Sequence, residues 1–246
     1  MKALSSRARM SLSYRAPQPL SSRAQRGTSN AGTREIPRSA RNDKGVNAEA
    51  ISCVTPPTRA EHQLALRAFL REHPAQRGLP WVFAYGSLLW RPAFAELARV
   101  PARVHGWHRA LNVLAIAARG TPQRPGLWFG LERGGSVHGI LIRPRADSAA
   151  ALLDLWEREL PDDGYVPRWV RATPVRGKAC WAIAMVGNPA SRLYAGGLTV
   201  DECAARVRAA KGYRGSNVEY VMNTAQHLHE LQLHDARLRR VCERLG

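Results

Sequence analysis

Between Trp81 and Val186 the chain alternates short apolar, β-prone runs with Gly and Pro breaks, and helix-type spacing brackets that block on both sides. Six runs have the length and residue types of buried strands: 81–85, 110–117, 127–131, 137–142, 166–172 and 180–186. Before them, Thr58-x-x-Glu61 forms a capping box ahead of Leu64, Ala65, Ala68 and Phe69, with Pro74 and Gly78 as stop signals. A further helical pattern interrupts the strands at 148–160. After them come helices at 199–210 behind Thr199-x-x-Glu202, at 217–231 behind Ser216-x-x-Glu219, and at 235–245 with Asp235 as its cap. Strands grouped in the middle with helices around them predict an α+β domain over 58–246, built on a curved or barrel-like mixed sheet flanked by helices.

Residues 1–57 read differently. They are rich in Ser, Arg, Ala and Pro, repeat Ser-Ser-Arg-Ala at 5–8 and 21–24, and show no periodic apolar face. Such a segment buries too little surface to offset its ordering entropy, so a disordered basic extension is expected. Its Arg- and Ser-rich, acid-poor composition resembles an organelle transit peptide, and a start codon placed too far upstream explains it equally well.

The formal charge of +18 is shared along the chain: residues 1–50 hold ten Lys/Arg and three Asp/Glu, and the other 196 hold 27 and 16. The folded part is therefore basic by itself, which suits an anionic substrate. Its arginines are spread over many elements without interleaved aromatics, so no nucleic-acid partner is expected. Four widely spaced cysteines, Cys53, Cys180, Cys203 and Cys242, form no C-x-x-C pair. That pattern argues against a zinc site or disulfide framework and for a reduced, cytoplasmic protein. No apolar run reaches the length of a membrane span, so no membrane partner is expected.

Two features carry chemistry. With Leu152 at 0° and about 100° per residue, Leu155, Trp156, Leu160 and Leu153 occupy an arc from about 300° to about 100°. Glu159 falls at about 340°, inside that arc, whereas Asp154, Glu157 and Arg158 fall at about 200°, 140° and 240°. One carboxylate of this acidic helix is thereby directed toward the core. Burial raises a carboxylate's pKa or demands a partner, and a raised pKa makes a general acid/base. A Glu paired to a buried Arg, or turned outward at the helix end, satisfies the same pattern. The second feature is WVFAYGSLLW at 81–90, an apolar strand broken by Gly86-Ser87. Such a turn exposes backbone N–H groups to an anion or oxyanion, and Gly86 permits close approach or a positive φ.

Four blocks occur in order: VFAYGSLLWRP at 82–92, RGTPQRPGLWFGLERGGSVHGI at 119–140, LWERELPDDGYVPRWV at 155–170 and GSNVEYV at 215–221. Together they resemble the ChaC-type, glutathione-specific γ-glutamylcyclotransferases, over roughly residues 80–246. The resemblance implies a γ-glutamylcyclotransferase-like fold and cleavage of glutathione to 5-oxoproline and Cys-Gly, without metal or organic cofactor. It implies Glu159 as catalytic acid/base and Val82, Phe83, Ala84, Tyr85, Gly86, Ser87 and Leu88 as the substrate-binding segment. Tyr165, Asn217 and Tyr220 match recurring family positions. The apolar stretch Leu114–Ala118 departs from the polar residue expected there, which leaves acceptor specificity open.

Other candidates are weaker. His227 and His229, two apart on one helix, do not share a face, and with His234 they make no ligand set. Cys180 reads as an inert buried thiol, and Glu219 as the capping carboxylate for Ser216. Trp128, Trp156, Trp169 and Trp181 read as core, and Tyr220, off its helix's apolar stripe, suits a pocket wall or solvent. Two other functions fit less well: a cyclotransferase for other γ-glutamyl amines or amino acids, and a non-enzymatic basic module binding RNA or an acidic partner.

Overall fold

The computed structural model describes residues 56–72, 79–145 and 149–246. The extension expected over 1–57 lies, but for Pro56 and Pro57, outside the described residues, as do the stop signals Pro74 and Gly78. Five strands close into a barrel in the order β1-β3-β2-β4-β5: β1 (Trp81–Ala84), β2 (Glu96–Ala115), β3 (Gly126–Pro144), β4 (Tyr165–Pro174) and β5 (Cys180–Gly187). Successive strands in this order are antiparallel; β5 pairs in parallel with β1, Trp81 with Ala182 and Val82 with Ile183, which completes the closure, and with β3 at Leu131 and Val186. Val82, Leu131, Ile140, Ile142 and Ile183 are almost wholly buried in the barrel strands.

The long β2–β3 hairpin differs from the sequence expectation. The runs 127–131 and 137–142 are one strand, and β2 begins at Glu96, well before 110. Along its first half only alternate residues such as Ala102 and Val104 are buried, while Arg99 and Arg103 face solvent. Pro101 lies within β2 without an N–H to give the ladder, and its carbonyl accepts the Val175 N–H at 2.9 Å. A bulge between His105 and Trp107 bends the hairpin, and Gly106 at φ +78° supplies the left-handed residue it needs.

Helices α1 (Arg59–Arg71) and α2 (Ala149–Glu159) pack together beside the barrel; α3 (Val200–Ala209) precedes a short hairpin of β6 (Lys211–Gly212) and β7 (Gly215–Ser216), and α4 (Asn217–Glu230) and α5 (Ala236–Leu245) follow it. Phe69 of α1 lies between Trp156 of α2, at 5.4 Å, and Trp169 of β4, at 5.0 Å. Thr58–Glu61 and Thr199–Glu202 form complete capping boxes. At α4 only half of the expected box exists. Ser216 accepts the Glu219 N–H, but the Glu219 carboxylate turns to Arg119 at 2.8 Å, a charged partner stronger than the cap's neutral N–H. No helix among the described residues is long and apolar enough to cross a membrane.

Candidate active site

The end of β1 runs into a 3-10 turn, Ser87–Leu89, at one mouth of the barrel. The turn is fastened from its carbonyl side: Gly86 accepts from Leu89 N at 2.9 Å and Ser87 from Arg91 N at 2.8 Å. The leading N–H groups of any helical turn find no carbonyl within it, so this loop keeps donors for a ligand. Gly86 has φ −133°, so the positive φ considered for it does not occur. A Cβ there would lie at ordinary contact distance, 3.5 Å from Phe129 Cβ and 3.7 Å from the Tyr220 hydroxyl.

Beneath the loop opens a cavity of about 1110 Å³. Glu159, Tyr165 and Tyr220 line it together with Val82, Phe83, Tyr85, Gly86, Ser87 and Leu88. Ala84 does not: it is 0% exposed and paired with Ile140 in the barrel wall, where it supports the loop from behind. Leu114, Ile116, Ala117 and Ala118 form an apolar side of the cavity. Of the tryptophans expected in the core, Trp156 is fully buried, but Trp128 lines the cavity with its ring edge-on to Tyr220 at 4.6 Å.

Glu159 is the last residue of α2, ahead of Pro161, which cannot continue the helix. Leu152, Leu155 and Trp156 on the same face are buried, whereas Asp154 and Glu157 stay outside and pair with Arg59. The 16% of the Glu159 side chain still exposed opens onto the cavity. Arg158 folds back so that its Nε lies 3.0 Å from Glu159 Oε1, while its other nitrogens reach the Arg91 carbonyl and, at 3.4 Å, Ser87 Oγ. Removal from water raises the Glu159 pKa above its ordinary 4.5, and Arg158 opposes that only in part. The carbonyl end of α2 acts in the same direction as burial.

Further contacts hold the loop in place, and no local pattern in the sequence announces them. Arg109 is 4% exposed and donates through Nε to the Tyr85 carbonyl at 2.6 Å and through Nη2 to the His138 carbonyl at 2.7 Å. Its remaining nitrogen meets the Asp235 carboxylate. Asn217 does not line the cavity; fully buried, it accepts the Leu127 N–H at 2.7 Å and donates to the Leu127 carbonyl at 2.9 Å. It thereby pins α4 to β3 and sets the face from which Tyr220, three residues on, reaches the cavity. Replacing Asn217 by Ala leaves both Leu127 groups buried without partners, so a loss of about 2–4 kcal/mol is expected in urea unfolding. An unchanged midpoint contradicts this role. Among the described residues no group of three or more His, Cys, Asp and Glu side chains is placed to hold a metal ion.

The closed mixed barrel with its surrounding helices has the γ-glutamylcyclotransferase fold. A solved γ-glutamylcyclotransferase specific to glutathione from yeast matches with a TM-score of 0.63, over 69% of this chain and 96% of that one, at 20% identity. The chain belongs to the ChaC family, whose model, described as ChaC-like protein, matches residues 80–245. The glutathione-specific γ-glutamylcyclotransferase of Escherichia coli K12 is 31% identical over 177 residues, 72% of this chain and 77% of that protein. Human glutathione-specific γ-glutamylcyclotransferase 1 is 28% identical over 185 residues, 73% and 82% of the two chains.

Proposed function

We propose that this protein is a lyase that cleaves glutathione by intramolecular cyclisation, releasing 5-oxoproline and Cys-Gly. The observation that carries the reading is the carboxylate of Glu159, buried with a raised pKa in a cavity shared with the Tyr85–Leu88 loop, in a chain of the ChaC family. No enzymic nucleophile is required. The substrate's own α-nitrogen attacks its γ-carbonyl carbon, and holding the γ-glutamyl chain folded supplies much of the acceleration. The carbonyl π pair moves onto oxygen, then returns as the bond to the cysteinyl nitrogen breaks. The α-nitrogen sheds two protons on passing from ammonium to lactam N–H, and the departing amine takes up two to become an ammonium. Glu159 carries them in turn, as base and then as acid.

The backbone of Gly86, Ser87 and Leu88 is suited to the α-carboxylate or the oxyanion, and Val82, Phe83 and Tyr85 shape the surrounding wall. The basic folded part favours an anionic peptide. We assign the protein to the cytoplasm on its free thiols Cys180, Cys203 and Cys242, and assign it no nucleic-acid or membrane partner. Incubation of the purified full chain with glutathione is expected to yield equimolar 5-oxoproline and Cys-Gly by mass spectrometry. Intact glutathione beside consumed γ-glutamyl amines assigns the apolar wall Leu114–Ala118 a different acceptor and sinks the glutathione assignment.

A further inference from the structure

Tyr85, Tyr165 and Tyr220 all line the cavity, and each hydroxyl has one hydrogen to donate. Tyr85 donates its hydrogen to the Met185 carbonyl. Tyr165 donates to the Phe129 carbonyl at 2.8 Å. Tyr220 is bonded the other way round: its oxygen accepts the Phe129 N–H at 3.3 Å. Among the described residues its own hydrogen has no acceptor, although the side chain is only 3% exposed. The ring is fixed by Trp128 at 4.6 Å and Phe129 at 5.5 Å. Its hydroxyl stands 3.7 Å from the point where a Cβ on Gly86 would sit, in the space this glycine leaves open beside the loop.

We propose that Tyr220 is a further catalytic residue, whose phenol hydrogen, held over Gly86, donates to the γ-carbonyl oxygen as it gains negative charge during ring closure. Accepting the Phe129 N–H polarises the hydroxyl and makes it a stronger donor. Burial raises its pKa, so the phenol stays neutral and keeps the hydrogen it must donate. Tyr85 and Tyr165 cannot serve without giving up carbonyls that they hold. No proton changes owner in this step; the hydrogen bond strengthens with the oxyanion and relaxes as the carbon–nitrogen bond breaks.

The inference rests on the cyclisation reading, so wild type is assayed first with glutathione and then with other γ-glutamyl donors, and the comparison is made on the donor it cyclises. A chain that cyclises only other donors overturns the glutathione assignment and leaves Tyr220 open to the same test; one that cyclises none overturns both. Tyr220→Phe is expected to lower kcat by about 10²–10³-fold with KM little changed, as for loss of one oxyanion donor. Tyr165→Phe removes the other hydroxyl gripping Phe129 and reports what loosening that residue does by itself. The kcat loss in Tyr220→Phe is expected to exceed it by at least about tenfold. With 3,5-difluorotyrosine at 220, a more acidic phenol, the alkaline limb of the kcat profile is expected to move to lower pH, because an ionised phenol donates nothing. A raised KM at unchanged kcat, equal losses in the two phenylalanine variants, or an unmoved alkaline limb overturns the role.

Discussion

Replacing Glu159 by Gln is expected to lower turnover of glutathione by about 10²–10⁴-fold, the range for loss of a positioned general acid/base, while the fold stays intact. Gln keeps the size and hydrogen-bonding reach of Glu but accepts no proton, so the α-ammonium is not deprotonated and the departing amine is not protonated. The same substitution has a signature in stability. Burial raises the folded-state pKa of Glu159 above its ordinary 4.5. From that ordinary value upward the native chain holds a proton that the unfolded chain has released, so native stability falls as pH rises through the window up to the folded value. A neutral amide at this position has no such penalty. The variant is thus expected to gain in melting temperature relative to wild type as pH rises above the ordinary 4.5, with the difference levelling off above the folded pKa. Wild-type kcat/KM is expected to fall as pH drops through that same raised value, where the base becomes protonated. Full activity in the variant, or a stability difference independent of pH, contradicts the assignment.

The parts of the molecule that were legible in the sequence are those governed by neighbours along the chain. The face of α2 followed from its 3.6-residue period, which separated Glu159 from Asp154 and Glu157, and the structure buries and exposes them accordingly. The caps at Thr58, Thr199 and Asp235 were legible for the same reason. Arg158 was assigned to the polar side, yet it turns back to Glu159, because a long side chain at a helix end reaches across faces. The first half of β2 was missed since only one of its faces is packed and its arginines alternate toward water. The pairing of Glu219 with Arg119 and of Asn217 with Leu127 joins residues about ninety or more positions apart, which no local pattern encodes. Docking of α4 against β3 and the segment before it brings them together. The loop was recognisable as a motif, but its support by Arg109 was not, and that support sets up the other large effect.

Substitutions at Asp235 are expected to be the most destabilising single changes near the site. Arg109 is a buried guanidinium whose pKa is pushed down by loss of water, and Asp235 is the carboxylate that offsets this. The two lie 126 positions apart. Asp235 also begins α5, where its second oxygen accepts the Leu238 N–H at 2.9 Å. Asp235→Asn keeps that cap and removes only the charge. Because it strands a buried cation, a loss of about 3–5 kcal/mol is expected, against a total of about 5–15 kcal/mol for a typical domain. Asp235→Ala removes the cap as well, and about 1 kcal/mol more is expected. Arg109 is the clamp on the Tyr85 carbonyl, so the looser clamp in Asp235→Asn is also expected to lower kcat/KM measured well below the unfolding temperature. Guanidinium unfolding of both variants separates charge from cap. If Asp235→Asn is as stable as wild type and only Asp235→Ala is weakened, the carboxylate acts as a helix cap alone, and the loop is held by the Arg109 hydrogen bonds without need of its counter-charge.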